Sequence, residues 1–300
     1  MKVAIAGGSG FIGKQLSQLL ENEGHHVFIL TRSSRQGNGN ITYVQWMKQG
    51  SHPELALEGI DAFVNLAGKS INSRWTEENK QKILESRIQA TSEAYRILEA
   101  LRDKPSVVVN ASAVGIYGTS EESTFTEESP PRSSDLLAKT ASIWEEEAAK
   151  IEAELGIRTV FARFGIILGE EGALPLMALP YKLFAGGKIG SGTQWISWVH
   201  INDAARLLLY CIRNESIRGP INITAPNPVQ NDTFGRTIAN VLHKPHWLRA
   251  PAFAIKSALG DMSMMVLEGQ RAIPKKALEQ QFHYSFPALE EALQDILKSN

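Results

Sequence analysis

The chain has almost no cysteine and no long apolar run, and each absence excludes a class of protein. A single cysteine, Cys211, occurs among 300 residues, so no disulfide can form within the chain. Cys211 lies in the apolar stretch LLLYCIR, where we expect it to be buried. No apolar run reaches the roughly 18 residues that a membrane-spanning helix needs. These features predict a cytoplasmic protein in a reducing compartment.

A surplus of charge of either sign is also missing. The chain has 31 basic and 32 acidic residues, which gives a formal net charge of −1, and its isoelectric point is near 6.7. We therefore expect no nucleic-acid partner and no anionic membrane partner, because both are bound through basic clusters. No spacing of His, Cys, Asp and Glu indicates a metal site. A small-molecule partner is favoured, and the protein is expected to be a monomer or a homodimer.

Apolar segments alternate with amphipathic segments along the first half of the chain. This alternation predicts an α/β fold of the Rossmann type, a doubly wound parallel sheet with helices on both faces. The predicted strands lie at residues 3–6, 26–32, 41–46, 61–68, 106–113 and 158–168, and the predicted helices at about 12–23, 77–101 and 135–154.

A change in composition divides the chain after the last of these strands. From Gly169 onward the sequence is richer in Gly, Pro and Trp. We expect a nucleotide-binding domain at residues 1–168 and a smaller α+β substrate lobe at 169–300. Elements at about 195–225 could return to the first domain.

A glycine-rich turn, GGSGFIG, joins the first strand to the first helix. Its glycines have the spacing G-x-x-G-x-x-G, and the strand, turn, helix and second strand all fall within about 30 residues. Glycine lets the backbone approach a pyrophosphate closely, and a helix N-terminus offers unpaired N–H groups to the anion. The turn thus predicts a dinucleotide site with contacts from Gly7, Gly10, Phe11, Ile12 and Gly13.

The second strand lacks the acidic residue that would bind the ribose 2′-hydroxyl of NAD. Thr31, Arg32, Ser33, Ser34 and Arg35 occur there instead. Arg32 can pair with a 2′-phosphate, with Thr31 and Ser33 as hydroxyl donors, so NADP(H) is the predicted cofactor. The alternative is that Arg32 is a solvated loop residue.

The motifs GGSGFIG, VNLAG and ASAVGIYG occur in this order, and with them the chain resembles the extended short-chain dehydrogenase/reductases, which include nucleotide-sugar epimerases. More narrowly, RWTEENKQKILESRIQAT, RFGIILG, GSGTQWISWVHINDAA and LEGQRAIPKKALEQQFHYSFPALEEALQDIL are similar to the epimerase family proteins of the atypical extended subgroup. The resemblance covers nearly the whole chain. It implies an NADP-binding fold with a small family-specific C-terminal domain at about 248–297.

The same resemblance implies further cofactor contacts. In such folds the turn after the fourth strand lies beside the adenine and its ribose, which assigns Asn65, Leu66, Ala67 and Gly68 to the site. A close-packed strand end is the alternative for this turn. Arg87 in ESRIQAT is a further implied contact, and a solvated helix residue is its alternative.

The superfamily's catalytic Tyr-x-x-x-Lys pair is absent. None of the six tyrosines has a lysine four residues later, and the helix that should carry the pair has only Lys139 at that place. Ser112 and Tyr117 remain as candidates to orient or protonate a substrate oxygen. Strand-end capping and packing are their alternatives. Without a neighbouring cation, Tyr117 should keep a pKa of about 10.

Three more polar residues have two interpretations each. Arg163 follows a buried strand and either contacts substrate or forms a structural ion pair. His200 and Asp203 could be acid–base groups, but Asp203 is predicted to cap a helix that begins at Ala204, with His200 ordering the preceding loop.

Two functions stay open at this point. The first is an NADP-dependent oxidoreductase or nucleotide-sugar epimerase-like enzyme, acting on a sugar nucleotide or another small carbonyl compound. The second is an NADP(H)-binding regulatory or assembly protein with little or no turnover, which the missing catalytic pair favours.

Overall fold

The computed structural model describes residues 1–33, 35–72, 74–132 and 135–298. Its strands are β1 (Lys2–Ala6), β2 (His26–Thr31), β3 (Ile41–Gln45), β4 (Ala62–Asn65), β5 (Val107–Ala113), β6 (Thr124–Phe125), β7 (Arg158–Phe164), β8 (Ile166–Leu168), β9 (Gly187–Ile189), β10 (Trp195–Ile196), β11 (Trp198–His200), β12 (Gly219–Ile223), β13 (Val229–Gln230), β14 (Leu248–Ala250) and β15 (Arg271–Ala272). Its helices are α1 (Phe11–Asn22), α2 (Pro53–Ala56), α3 (Glu77–Ala100), α4 (Leu136–Leu155), α5 (Leu174–Lys182), α6 (Ile201–Arg213), α7 (Asn231–Leu242), α8 (Ala252–Leu259), α9 (Met264–Leu267), α10 (Lys275–Glu279) and α11 (Leu289–Lys298), with 3-10 turns at Val114–Tyr117 and Gly260–Ser263.

Seven parallel strands form the central sheet in the order β12-β7-β5-β4-β1-β2-β3. The predicted doubly wound fold is thereby confirmed. In the register of the sheet, Ala6 at the end of β1 lies opposite Leu30 of β2 and Asn65 of β4. The winding reverses at β1, so a crevice opens beyond the carboxyl ends of β1 and β4, where such sheets bind ligands.

Helices cover both faces of this sheet. On one face, Leu16 of α1 and Leu208 of α6 pack against the strands, and on the other face Ile97 of α3 and Ile151 of α4 do so. Cys211 of α6 is fully buried, as expected, and burial raises the pKa of its thiol to about 12. The apolar faces that the sequence pattern predicted therefore meet the sheet.

The strand predicted at residues 158–168 is interrupted at Gly165. The Gly165 N–H donates to the Ile223 carbonyl at 3.2 Å, and a Cβ at this glycine would lie 2.4 Å from the Ser197 oxygen. After the interruption β8 leaves the sheet and pairs with β11. The chain later returns to the sheet through β12, which pairs with β7 along the edge.

A second hydrophobic core lies among helices that follow β8, and we call the elements around it the second lobe. Leu174 of α5, Phe234 of α7 and Leu293 of α11 are buried together there. In the described part of the chain, none of the helices combines the length and the apolar character needed to cross a bilayer.

The predicted start of the sixth helix is wrong by three residues. The helix α6 begins at Ile201 rather than at Ala204, and its cap is His200, whose Nδ1 accepts from the Asn202 backbone N–H at 3.2 Å. Asp203 lies inside the first turn and does not cap the helix. Its carboxylate instead accepts backbone N–H groups of the C-terminal segment, a long-range contact that local sequence does not reveal.

Candidate functional site

The glycine turn after β1 is packed so closely at Gly7 and Gly13 that a side chain would not fit at either position. Gly7 has a φ of 79°, and a Cβ added there would lie 2.8 Å from the Leu66 carbonyl oxygen. A Cβ at Gly13 would lie 2.3 Å from the Gly7 oxygen. The Gly10 N–H closes the turn by donating to the Gly7 oxygen at 2.9 Å. The turn therefore sits directly against the residues that follow β4, at the winding reversal of the sheet.

The helix that follows this turn begins without a side-chain cap. Its N-cap is Gly10, and no acidic residue lies in its first turn. A helix leaves its first N–H groups without intrahelical partners, here those of Phe11, Ile12 and Gly13. These groups and the helix dipole create a partial positive charge, which suits a phosphate.

The ring of Phe11 packs against the loop after β8 rather than standing free. A Cβ at Gly169 would lie 2.6 Å from the Phe11 Cζ, and one at Gly172 would lie 3.1 Å from its Cε1. The side chain of Phe11 thus ties the glycine turn to the second lobe. Its predicted contact with the cofactor would come through its backbone.

Hydroxyl and basic groups occupy the carboxyl end of β2. Thr31 is nearly buried, and its Oγ1 accepts from the Ser33 N–H at 3.3 Å. Arg32, the residue after β2, is exposed, and β2 pairs with β1, the strand that precedes the glycine turn. Arg35 lies with its Cζ 5.9 Å from the Tyr43 ring centroid. Ser34 falls outside the described residues. Binding of a 2′-phosphate by Arg32, Thr31 and Ser33 stays a prediction.

Asn65 shapes the turn after β4 from inside the molecule. Its side chain is fully buried, its Oδ1 accepts from the Ala67 N–H at 3.2 Å, and its Nδ2 donates to Asn110 at 2.7 Å and Thr91 at 3.1 Å. The hydrogen bonds of Asn65 are therefore already made within the protein. Beyond it, Leu66 and Ala67 are partly exposed and Gly68 is exposed, so the rest of the predicted contact surface is open.

Arg87 lies against this turn with its charge uncompensated by its observed contacts. Its Nη1 donates to the carbonyls of Lys69 at 3.1 Å and Ile83 at 2.9 Å, and its Cζ lies 4.9 Å from the Trp144 ring centroid. A Cβ at Gly68 would lie 3.3 Å from the Arg87 Cγ. Burial lowers the pKa of Arg87 to about 10. These partners carry no formal charge, which leaves Arg87 suited to an anionic ligand.

Ser112 is engaged by a buried ion pair. It is 3% exposed, and its Oγ donates to the Glu145 carboxylate at 2.6 Å. Arg163 donates to the same carboxylate through Nε and Nη2, both at 2.7 Å. Of the two interpretations of Arg163, the structure shows the ion pair.

Tyr117 belongs to the same buried network. It is fully buried, its hydroxyl donates to Asn222 Oδ1 at 2.8 Å, and it accepts from Arg163 Nη1 at 2.9 Å. Burial raises the pKa of Tyr117 to about 12, outweighing the lowering by the neighbouring Arg163. The expected pKa of about 10 and the expected lack of a neighbouring cation are therefore both wrong.

Sequence reasoning missed two members of this network, Glu145 and Asn222. They lie 33 residues after Ser112 and 105 residues after Tyr117, so no local spacing signals them. The one available signal was a charged residue, Arg163, at the end of a buried strand. Direct contact of Ser112 and Tyr117 with a substrate stays a prediction. Their observed hydrogen bonds are to other buried side chains, which favours a role in positioning those side chains.

An open cleft lies between the N-terminal ends of α3 and α4 on one side and residues 256–264 on the other. Its volume is about 500 Å³, and its lining includes Trp75, Lys80, Leu136, Lys256, Asp261 and Met264. Lys80 bridges the opening by donating to Asp261 at 2.6 Å. Since α3 follows β4 and α4 follows β5, their N-terminal ends place this cleft on the carboxyl side of the sheet.

Comparison with known proteins agrees with this architecture. The model of the NAD dependent epimerase/dehydratase family matches residues 3–224, and that of a domain of unknown function, DUF1731, matches residues 250–296. The chain is 53% identical over 298 residues to the epimerase family protein YfhF of Bacillus subtilis, covering 99% of this chain and 98% of that one.

Two solved structures extend the comparison. The human epimerase family protein SDR39U1, crystallised with NADPH, is 33% identical with a TM-score of 0.89, and the match covers 100% of both chains. A nucleoside-diphosphate sugar epimerase from Corynebacterium glutamicum is 28% identical with a TM-score of 0.80, covering 100% of this chain and 59% of that one. With its glycine turn, its sheet order and its C-terminal segment, the chain belongs to the NAD dependent epimerase/dehydratase family, among the epimerase family proteins.

Proposed function

We propose that the protein binds NADP(H) in the crevice beyond β1 and β4 and uses it to oxidise or reduce a small polar substrate. A sugar nucleotide or another small carbonyl compound is the proposed substrate class, in a cytoplasmic protein that is a monomer or homodimer. The observation that carries this proposal is the uncapped N-terminus of α1 behind a turn in which Gly7 and Gly13 leave no room for a side chain. The NADPH in the related human structure supports the choice of cofactor.

Each part of the cofactor has a matching group in the chain. The N–H groups at the start of α1 would hold the pyrophosphate, and Arg32 with Thr31 and Ser33 would hold the 2′-phosphate. The exposed part of the turn after β4 would contact the adenine and its ribose. Arg87, whose protein partners are uncharged, would meet a further anionic or polar group.

The bound cofactor would supply or accept the hydride, which leaves the protein to orient the substrate and move a proton. The Ser112 proton is directed to the Glu145 carboxylate, so the Ser112 oxygen would act toward a ligand as an acceptor. Arg163 keeps that carboxylate fixed, and Tyr117 fixes Arg163 in turn. Because no Tyr-x-x-x-Lys pair is present, we propose that a water molecule beside Ser112 passes the proton between the substrate oxygen and bulk solvent.

Turnover with a panel of sugar nucleotides and small carbonyl compounds tests this function. NADPH consumption or NADP⁺ reduction would be followed by absorbance for the natural protein, for Ser112→Ala and for the control Ser106→Ala. Ser106 lies at the opposite end of β5 and donates to the Asp61 carbonyl. We expect Ser112→Ala to lower kcat about 100-fold and Ser106→Ala to leave it unchanged. Nucleotide binding without turnover of any panel member would contradict the enzymatic proposal.

A regulatory function is the second candidate, and the buried network favours it. The protons of Ser112 and Tyr117 are already donated within the protein, as expected of a site that binds a nucleotide without chemistry. Such a protein would need different conformations with NADP⁺ and with NADPH. Amide hydrogen exchange would differ between the two complexes in that case. Identical exchange with both nucleotides would eliminate this candidate.

A further inference from the structure

Two neighbouring segments of the second lobe expose an unusual share of large apolar side chains. Among the described residues, eight of the thirteen large apolar side chains that are exposed lie within residues 174–184 and 247–259. Trp247 is 70% exposed and Phe253 is 76% exposed. We define the apolar surface by six of these residues, Leu176, Leu183, Phe184, Trp247, Leu248 and Phe253.

The two segments contact each other where residues 184–187 meet residues 247–248. The Trp247 indole N–H donates to the Phe184 carbonyl at 2.9 Å. β14 pairs with β9, which brings Leu248 beside Gly187. Lys244 lies with its Nζ 3.9 Å from the Phe184 ring centroid. Aromatic and basic groups are therefore interleaved on the same side of the lobe.

The two helices that carry this apolar surface, α5 and α8, expose apolar side chains that the protein core does not cover. α5 buries Leu174, Ala178 and Tyr181, yet Leu176 on its other side is 64% exposed. No residue of α8 is buried, yet the helix is mostly apolar, with Lys256 as its one charged residue. A helix that is apolar all round is ordinarily covered by protein or lipid. An exposed patch of this kind indicates an interaction site.

The sequence around the apolar surface contains basic residues and few acidic ones. Residues 172–202 and 233–260 contain no Asp or Glu. The carboxylates that flank them are paired, Asp232 with Arg236 and His246, and Asp261 with Lys80. The lysines and arginines in these two wider ranges are Lys182, Lys188, Arg236, Lys244, Arg249 and Lys256. A chain with a net charge of −1 thus concentrates positive charge beside its most exposed aromatic side chains.

We propose that this surface docks the protein on anionic lipid bilayers. Exposed Trp and Phe side chains insert at the level of the headgroups, and surrounding Lys and Arg bind lipid phosphates. A second copy of the chain is disfavoured as the occupant, because a two-fold contact would place the basic segments against each other. The expectation of no membrane partner came from net charge, which averages out this local excess.

Vesicle binding tests the proposal. The natural protein would be mixed with sedimentable vesicles of phosphatidylcholine, with and without phosphatidylglycerol. We expect binding only to the anionic vesicles, with loss of binding at high salt. Two double variants, Trp247→Ser with Phe253→Ser and Lys182→Glu with Arg249→Glu, should each bind at least about tenfold more weakly.

Matched controls separate the surface from general effects. Leu55→Ser removes an apolar side chain that is 81% exposed in α2, and Lys48→Glu reverses an exposed charge in the first domain. Both should bind vesicles like the natural protein. Thermal unfolding would verify that all variants are folded. Absence of binding to anionic vesicles, equal binding to neutral ones, or a stable dimer that the Trp247→Ser, Phe253→Ser variant dissociates would overturn the proposal.

Discussion

Two glycines of the turn after β1 are required for different physical reasons. A Cβ at Gly13 would overlap the Gly7 carbonyl at 2.3 Å, whereas a Cβ at Gly10 would lie 3.2 Å from the same oxygen. The first contact is forbidden in the protein itself, and the second is only tight. The side chain of a residue at position 10 would instead meet the pyrophosphate that we propose.

This difference predicts separate effects for two alanine variants. We expect Gly13→Ala to lower the free energy of unfolding by about 2 kcal/mol and to weaken NADPH binding as well. Gly10→Ala should weaken NADPH binding at least about tenfold with a loss of stability below about 1 kcal/mol. Urea denaturation and NADPH fluorescence titration measure the two quantities. Equal destabilisation by both variants would argue against the packing described for Gly13.

The buried pair of Arg163 and Glu145 predicts a non-additive response. Arg163→Met leaves the Glu145 carboxylate buried without its cation, which should cost about 3–5 kcal/mol of stability. Adding Glu145→Gln removes the stranded charge and should recover about half of that loss. Denaturant unfolding of the single and double variants measures this coupling. Additive losses would show that the two side chains do not interact.

His200 makes stability depend on pH in a direction set by its burial. It is 1% exposed, and burial holds its pKa below the ordinary value of 6.5 even though Asp295 and Asp203 favour the charged form. Below pH 6.5 the unfolded chain therefore binds more protons than the folded one at this residue. The contribution of His200 to the free energy of unfolding should be fully present above pH 6.5 and decline as pH falls.

The variant His200→Asn tests this dependence. Asn retains a side-chain acceptor for the N-cap of α6 but does not titrate, so stability should depend less steeply on pH between 7 and about 5. His283→Asn, at an exposed histidine, is the control and should leave the slope unchanged. An unchanged slope in His200→Asn would refute the assignment.

At the scale of elements, the helices and strands that were predicted correctly are those marked by a local sequence pattern. β2, β5, α3 and α4 all lie within a few residues of their predicted places, because apolar periodicity and capping residues are local signals. The glycine turn was also predictable, since spacing and context are both local. The helix start at Ile201 was not, because the Asp203 carboxylate that resembled a cap is used elsewhere.

Asp203 joins α6 to the C-terminal segment. The Asp203 carboxylate is fully buried and accepts the Ser285 N–H at 2.9 Å and the Phe286 N–H at 2.8 Å. Asp203→Ala would remove the buried carboxylate that accepts both N–H groups, so we expect a loss of about 3 kcal/mol in the free energy of unfolding. The exposed Asp103→Ala should change it by less than about 0.5 kcal/mol. A neutral Asp203→Ala would show that the segment is held by apolar packing alone.

At the scale of the whole molecule, the C-terminal segment is part of the core and not an appendage. Phe282 and Tyr284 are buried with residues of α6, and Leu289 and Leu293 are buried with residues of α7. A chain that ends at residue 247 would expose these contact faces of both helices. We expect it to unfold without a cooperative transition and to bind a hydrophobic dye. A chain lacking only residues 299 and 300 should unfold cooperatively.

The network around Ser112 also belongs to this scale, and it shows why the candidate site was only partly predictable. It joins β5, α4, β7 and β12, which come together only after the sheet has formed. The cofactor side of the site, in contrast, lies in short contiguous turns. The sequence therefore predicts the nucleotide-binding turns better than the residues that would act on the substrate.

The dissociation constants for NADPH and NADH, measured by calorimetry on the natural protein and on Arg32→Glu, test the central claim most directly. Arg32→Glu removes the proposed partner of the 2′-phosphate and adds a like charge, so NADPH binding should weaken about tenfold or more while NADH binding changes little. The exposed Arg102→Glu serves as the matched charge reversal and should alter neither constant. Equal weakening of both nucleotides by Arg32→Glu, or no preference for NADPH in the natural protein, would contradict the account.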